Sequence, residues 1–157
     1  MKTGIRTEIN LGNFAVDWGK IPEKVMKDIG LDFRKDRNET MKAGLSMHDL
    51  SPQTPLKPAT IARKRKKGYA QPETPLIATN NMALGTNIEA KDGELILTQG
   101  PTRAAIAVYH QDGMGNNPQR VHFAFNDQFL QTKAFPRIIA HYRTLIRKAK
   151  KGGTGTK

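Results

Sequence analysis

The stretch LGTNIEAKDGELILTQG, residues 84–100, limits the fold more than any other part of the chain. Two apolar-containing runs are joined at Asp92-Gly93, a dipeptide that accepts the backbone angles of a tight turn, so the runs must return on each other as an antiparallel hairpin. After GPTR, the run AAIAVYHQ (104–111) reads as a third strand. RVHFAF (120–125) reads as a fourth, because Val121, Phe123 and Phe125 alternate onto one face. The spacing therefore predicts an antiparallel meander of three to four strands. Ala104, Ala105 and Ala107 imply that something packs close to the third of them. A short alternation at Ile5, Thr7, Ile9 and Leu11 predicts an edge strand near the N-terminus.

Helical spacing flanks the meander on both sides. In IPEKVMKDIGLDFRKDRNETMKAGL, Pro22 and Glu23 suit a helix start. Val25 or Met26, Ile29, Phe33, Asp36/Arg37, Thr40 and Met41 fall on one stripe, and Gly44 suits the stop. The C-terminal NDQFLQTKAFPRIIAHYRTLIRKAK carries a wider apolar stripe of Phe135, Ile138, Ile139, Tyr142, Leu145, Ile146 and Ala149, with a break predicted at Pro136. Between the first helix and the hairpin, five prolines punctuate a long basic loop at about residues 46–75. Inside it, KPATIARKRKKG predicts a short helix from Pro58 to Gly68, and Pro75 stands where another short helix would begin. The expected architecture is α+β: the meander with an N-terminal and a C-terminal helix packed on it, one domain over 1–150 and a flexible basic tail over 151–157.

Charge and composition bound the function. Of the net charge of +12, eleven units fall after residue 50, where seventeen Lys and Arg face six Asp and Glu; no acid follows Asp127. Such asymmetry speaks of partners, not of fold: nucleic acid, an acidic protein surface or acidic neighbours in an assembly. Hydrophobic residues make up 37% of the chain, enough for a modest core that a partner helps to cover. No apolar run approaches the roughly 18 residues of a membrane-spanning helix, so no membrane partner is expected. The N-terminus lacks the apolar core of a signal peptide. The absence of cysteine excludes disulfides and thiolate metal sites and suits a reducing compartment.

Catalytic chemistry finds little to work with. None of His48, His110, His122 and His141 sits in a metal-ligand spacing, no phosphate-cradling or nucleophile-elbow motif occurs, and the carboxylates show no paired spacing. His110, two residues before Asp112, reads as a histidine hydrogen-bonded at a turn. No catalytic residue, metal or cofactor is expected. The run Arg63, Lys64, Arg65, Lys66, Lys67 is the candidate contact for a partner or for DNA. Readers of single strands interleave aromatics with cations, and here Tyr69 stands alone beside the run.

From residue 51 to 125 the order of segments resembles the phage virion morphogenesis proteins, the tail-completion family of the head-tail junction. LSPQTPLKPATIARK stands for the family's lead and basic stretch, PLIATNNMALG for its second step, VYHQDGM for its third, and RVHFAF for its closing strand. The positions that carry the likeness are Pro75, Leu76, Thr79, Asn80, Tyr109, His110, Gln111, Gly113, Arg120 and Phe123. Gln53 stands near a usual aromatic, Asn80 and Asn81 replace a Gly-then-polar step, and RVHFAF departs from the usual RPFLG. The first 45 residues match only in that a helix comes first. The resemblance implies a structural virion protein: a tail-completion, tail-terminator or neck protein, built of copies of itself in a ring and assembled in the host cytoplasm. Its partners would be head-tail connector or portal-side proteins and tail tube or tail terminator proteins, with DNA in the channel. The alternative class is a basic nucleic-acid-binding protein that contacts DNA through residues 63–67 and the C-terminal helix.

Overall fold

The computed structural model describes residues 6–10, 20–78 and 81–152. Its elements are β1 (Arg6–Asn10), α1 (Glu23–Lys42), α2 (Pro58–Lys66), α3 (Asn81–Leu84), β2 (Thr86–Lys91), β3 (Glu94–Gln99), α4 (Pro101–Asp112), α5 (Asp127–Phe129), a π-helical turn (Leu130–Ala134) and α6 (Phe135–Gly152). The class is α+β, as the sequence predicts. β2 and β3 form the expected hairpin, Lys91 opposite Glu94 and Thr86 opposite Gln99, with Gly93 at φ +78° in the turn. The predicted edge strand is β1, antiparallel to β3 and giving the sheet order β1-β3-β2.

The rest of the meander is not there. AAIAVYHQ belongs to helix α4: Pro101 starts it, alanine favours it, and Gly113 in the left-handed region ends it. A short apolar run suits a strand or a buried helix equally well, and here the end signals decide. Ala104 and Ala107, three residues apart, are the buried face of that helix rather than a strand's surface. RVHFAF is irregular, yet Phe123 is buried in the core and Phe125 packs against it. The backbone of RVHFAF is held by side chains, since the Gln111 Oε1 accepts from the N–H of both His122 and Phe123. The short helix expected from Pro58 is α2, and because it occupies the middle of the Pro-rich segment, residues 46–75 are not one long loop. Pro75 is buried in a turn and begins no helix; α3 starts later, at Asn81. Past Gly152 the expected basic tail lies outside the described residues.

α1 lies across the inner face of the hairpin. Its buried residues Met26, Ile29, Gly30, Phe33, Arg37, Thr40 and Met41 recur every three or four positions, the period of one helix face. They meet Thr86, Leu95, Leu97 and Gln99, whose alternation puts them on one side of the pleat. The helix start is held by the hairpin turn: the Glu23 N–H donates to Asp92 Oδ1 at 2.8 Å, and the Gly93 N–H to the Ile21 carbonyl at 2.7 Å. Phe33 is the hub of the aromatic core, its ring 5.4 Å from Phe123, 4.8 Å from Phe125 and 5.7 Å from Phe129.

One polar side chain sits fully inside this packing. The Arg37 Nε donates to the His122 carbonyl at 2.7 Å, one terminal nitrogen to Thr86 Oγ1 at 2.9 Å and the other to Gln99 Oε1 at 2.7 Å. Its guanidinium carbon lies 4.7 Å from the centre of the Phe123 ring. Burial pushes its pKa down to about 9, which leaves it charged at neutral pH.

At the C-terminal side, the predicted break at Pro136 takes another form. Proline lacks an N–H and its ring collides with the preceding turn. The chain widens into the π turn just before it, with the Phe135 N–H donating to the Leu130 carbonyl, and the helical path continues into α6. Arg137 then ties α6 to α1 by a bidentate contact with Asp32, with Asp28 3.7 Å away.

Gly30 is where α1 comes closest to the sheet. A Cβ there would lie 2.6 Å from Ile88 Cγ2 and 3.1 Å from Leu95 Cδ1. Gly30→Ala is expected to destabilise the protein by up to about 2 kcal/mol, because overpacking of about 1–3 kcal/mol works against a helix-propensity gain of about 1 kcal/mol. Chemical denaturation measures this, and a stabilised variant would show that the helix is not seated there.

Candidate binding cleft

α2 forms because Pro58 pre-sets the first turn and Gly68, at φ +70°, lets the chain leave the last one. Lys57, Thr60, Arg63, Lys64 and Lys67 recur at helical spacing, and all five line one open cleft of about 780 Å³. Arg103, Ile106 and His110 of α4 form the opposite wall. Leu56, Leu76, Ile77 and Met82 supply an apolar floor, and Met41, Ile77 and Met82 form a small second core that fixes this floor to the end of α1. Among the described residues that line the cleft there is neither Asp nor Glu.

The five-cation run divides into parts with different roles. Lys64 is buried, and its Nζ donates to the carbonyls of Gln71 at 3.1 Å and Thr74 at 2.7 Å, so it clamps the chain that follows α2. Burial lowers its pKa. Arg65 pairs with Glu73 in an exposed contact. Lys66 is exposed outside the cleft. Arg63 and Lys67 remain, one helical turn apart on the cleft side, their side chains without a hydrogen bond or ion pair to any described residue.

The positions that carry the family likeness mostly gather at the C-terminal end of α4, where they build structure. Gln111 donates through Nε2 to the Phe123 carbonyl at 3.3 Å and accepts two N–H bonds through Oε1, acting as a one-residue strand for the irregular segment. Gly113 lies at φ +69°, and a Cβ there would stand 2.9 Å from the Gln119 nitrogen. Arg120 is buried at the cleft's edge, donating to the carbonyls of Thr54 at 3.1 Å and Pro55 at 3.4 Å; burial lowers its pKa. Tyr109 is exposed. Pro75 and Leu76 stand on the far side of the cleft, Leu76 at φ +62°, while Thr79 and Asn80 lie outside the described residues.

His110 and Asp112 do not make a pair. Residues two apart on a helix point away from each other, and Asp112 is exposed. The His110 Nδ1 is buried and makes no hydrogen bond among the described residues. Burial, then the Arg120 charge, holds its pKa below the ordinary imidazole value. His122 is fully buried, with Nδ1 3.0 Å from the Arg120 carbonyl. Burial and the nearby Arg37 charge push its pKa down to about 3.

Sequence reasoning singled out neither Lys57 nor Arg103 for this cleft. The three- and four-residue spacing from Lys57 to Lys67 signals a shared face; nothing near Arg103 announces that α4 would bring it opposite. Among the described residues, no three His, Asp or Glu side chains come together as a metal site, and no helix is long and apolar enough to cross a membrane. No protein-family model, curated protein or solved structure matches the chain.

His122 and the part-buried His110 set a pH dependence. The fold lowers the pKa of each below the ordinary value near 6.5 that it keeps when unfolded, so the unfolded chain binds more protons below that value. Stability is therefore full above about pH 6.5 and falls as the pH drops, by up to about 1.4 kcal/mol per pH unit for His122 down to its folded value near 3. Thermal melting at pH 7.5, 6 and 5 is expected to show this slope, and His122→Gln to flatten it.

Proposed function

We propose that the chain is a structural virion protein of the head-tail junction, of the tail-completion, tail-terminator or neck kind, acting as a ring of copies that joins connector or portal-side proteins to the tail. One observation carries the reading. The first turns of α6 dock on the core through Ile138 and Tyr142, but the neighbouring Ile139 is 47% exposed and, further along, Leu145 and Ile146 are each 38% exposed, so an apolar stripe of the helix is left uncovered. Arg143, Arg147 and Lys148 flank that stripe, and all three are exposed. An apolar stripe framed by one sign of charge repels its own image, so it fits a different surface of the next copy, and head-to-tail contacts of this kind close into rings. The ordered steps from residue 51 to 125 give the reading its particular place in a virion.

The measurement is mass in solution. The unsubstituted chain is expected to run as a closed oligomer by light scattering, and Leu145→Asp with Ile146→Asp to run as single chains with unchanged helix content. A single-chain mass for the unsubstituted protein, alone and with tail tubes or connectors, would remove the proposal.

A second reading, contact with DNA in the channel, is favoured by the cation-only surface of α6, since no acid follows Asp127. It predicts binding to duplex DNA that falls linearly, in logarithms, with salt. Arg143→Gln with Arg147→Gln would then reduce that slope by about two phosphate contacts, and a slope near zero in the unsubstituted protein removes this reading.

A further inference from the structure

We propose that the cleft between α2 and α4 is a docking groove for a segment of a partner protein in which carboxylates alternate with apolar side chains. The inference needs no ring, since every residue of the groove comes from one chain.

The rim supplies charge with no internal use for it. Lys64 and Arg120 also line the groove, but their head groups are bound to backbone carbonyls. The side chains of Lys57, Arg63, Lys67 and Arg103 make no hydrogen bond or ion pair to described residues. Four such cations around one concavity, with no carboxylate in the lining, repel each other until an anion enters. A rim of this kind steers an acidic partner in and rejects a basic one.

The floor decides which anion. Leu56 and Leu76, backed by the buried Ile77 and Met82, present apolar surface beneath the rim, and Ile106 of the α4 wall adds to it, 41% exposed. A phosphodiester chain has nothing to bury there. Nucleic acid that enters a groove as a single strand stacks its bases on a series of aromatic rings, and the lining offers Tyr69 alone. A polypeptide with Leu or Phe between Asp and Glu satisfies rim and floor together. A groove of 780 Å³ lies within the size range of pockets that seat compact ligands, so it takes a short segment and not a folded surface.

Fluorescence anisotropy on the full chain tests this with four labelled probes. These are a peptide alternating Asp and Glu with Leu and Phe, an all-Asp peptide of equal charge, a single-stranded oligo-dT, and a peptide of residues 8–18 of this chain. The last carries Glu8 and Asp17 among Leu11, Phe14, Val16 and Trp18 and has no cation. The alternating peptide is expected to bind about tenfold tighter than the all-Asp peptide, the effect of seating one apolar side chain. Arg63→Gln with Lys67→Gln is expected to weaken it about tenfold or more, because two rim charges are lost. Ile106→Asp should abolish the preference over all-Asp. Lys66→Gln, on the same helix but outside the groove, should change nothing. Equal binding of the two acidic peptides, tighter binding of oligo-dT, or indifference to the Arg63 and Lys67 substitutions overturns the proposal. Tighter binding of the 8–18 peptide overturns it too and makes a second copy the occupant. The ring test alters α6 and this one alters α2 and α4, so each can fail without the other.

Discussion

The structure depends on one buried guanidinium. Arg37 reaches from the middle of α1 to the open end of the hairpin, through Thr86 and Gln99, and to the irregular segment after α4, through the His122 carbonyl. The amide of Gln99 extends the reach, donating to the Gly85 carbonyl at 3.0 Å. A charge taken out of water is tolerated only where its donors are satisfied, so these partners are held in one geometry. The segment after α4 has no strand partner of its own. Its backbone is fixed instead by Arg37 on one side and Gln111 on the other, which is why it is ordered without being a strand.

From that arrangement the cleft follows. Fixing the hairpin's open end against α1 sets where α4 departs, since the Gly100 N–H donates to the Gly85 carbonyl at 2.6 Å directly before Pro101. Fixing the end of α4 against Arg120 and Gly113 sets where it stops. α2 is held on the other side by Lys64, whose ammonium replaces the missing regular structure of the Gln71–Thr74 turn. Two of the chain's most basic stretches thus spend part of their charge on holding backbone. What is left over faces a shared concavity.

The sequence makes some of this legible. The hairpin, its turn, the face of α1 and the limits of α2 could all be read, because each is set by local rules: a turn dipeptide, a period, a proline and a glycine. The third and fourth strands could not be separated from alternatives. AAIAVYHQ is too short for its apolar pattern to choose between two periods, and the deciding Pro101 and Gly113 sit at its ends. RVHFAF has a strand's alternation, yet its backbone is bound by the side chains of Gln111 and Arg37 and by the Met47 N–H, partners that no pattern announces. The basic run looked like one unit because its members are adjacent in sequence. Helical geometry distributes adjacent residues around an axis, so Lys64, Arg65 and Lys67 end in three different settings. Arg37 could be placed on the inner stripe, but its role depends on acceptors 49 to 85 residues away, the Thr86 hydroxyl and the His122 carbonyl among them.

The π turn ahead of Pro136 couples the direction of α6 to the packing of the body. One residue more than a regular turn stands between Phe129, which is locked in the core, and the outward half of α6. In an α-helix each residue advances the azimuth by about 100°. A single insertion or deletion within Leu130–Ala134 would therefore turn Leu145 and Ile146 to a new bearing only by also turning Ile138, Tyr142 and Arg137 away from their seats on the core and on Asp32. The bulge is an indexing joint: the bearing of the exposed stripe is set by the same turns that dock on the domain, so the two change together.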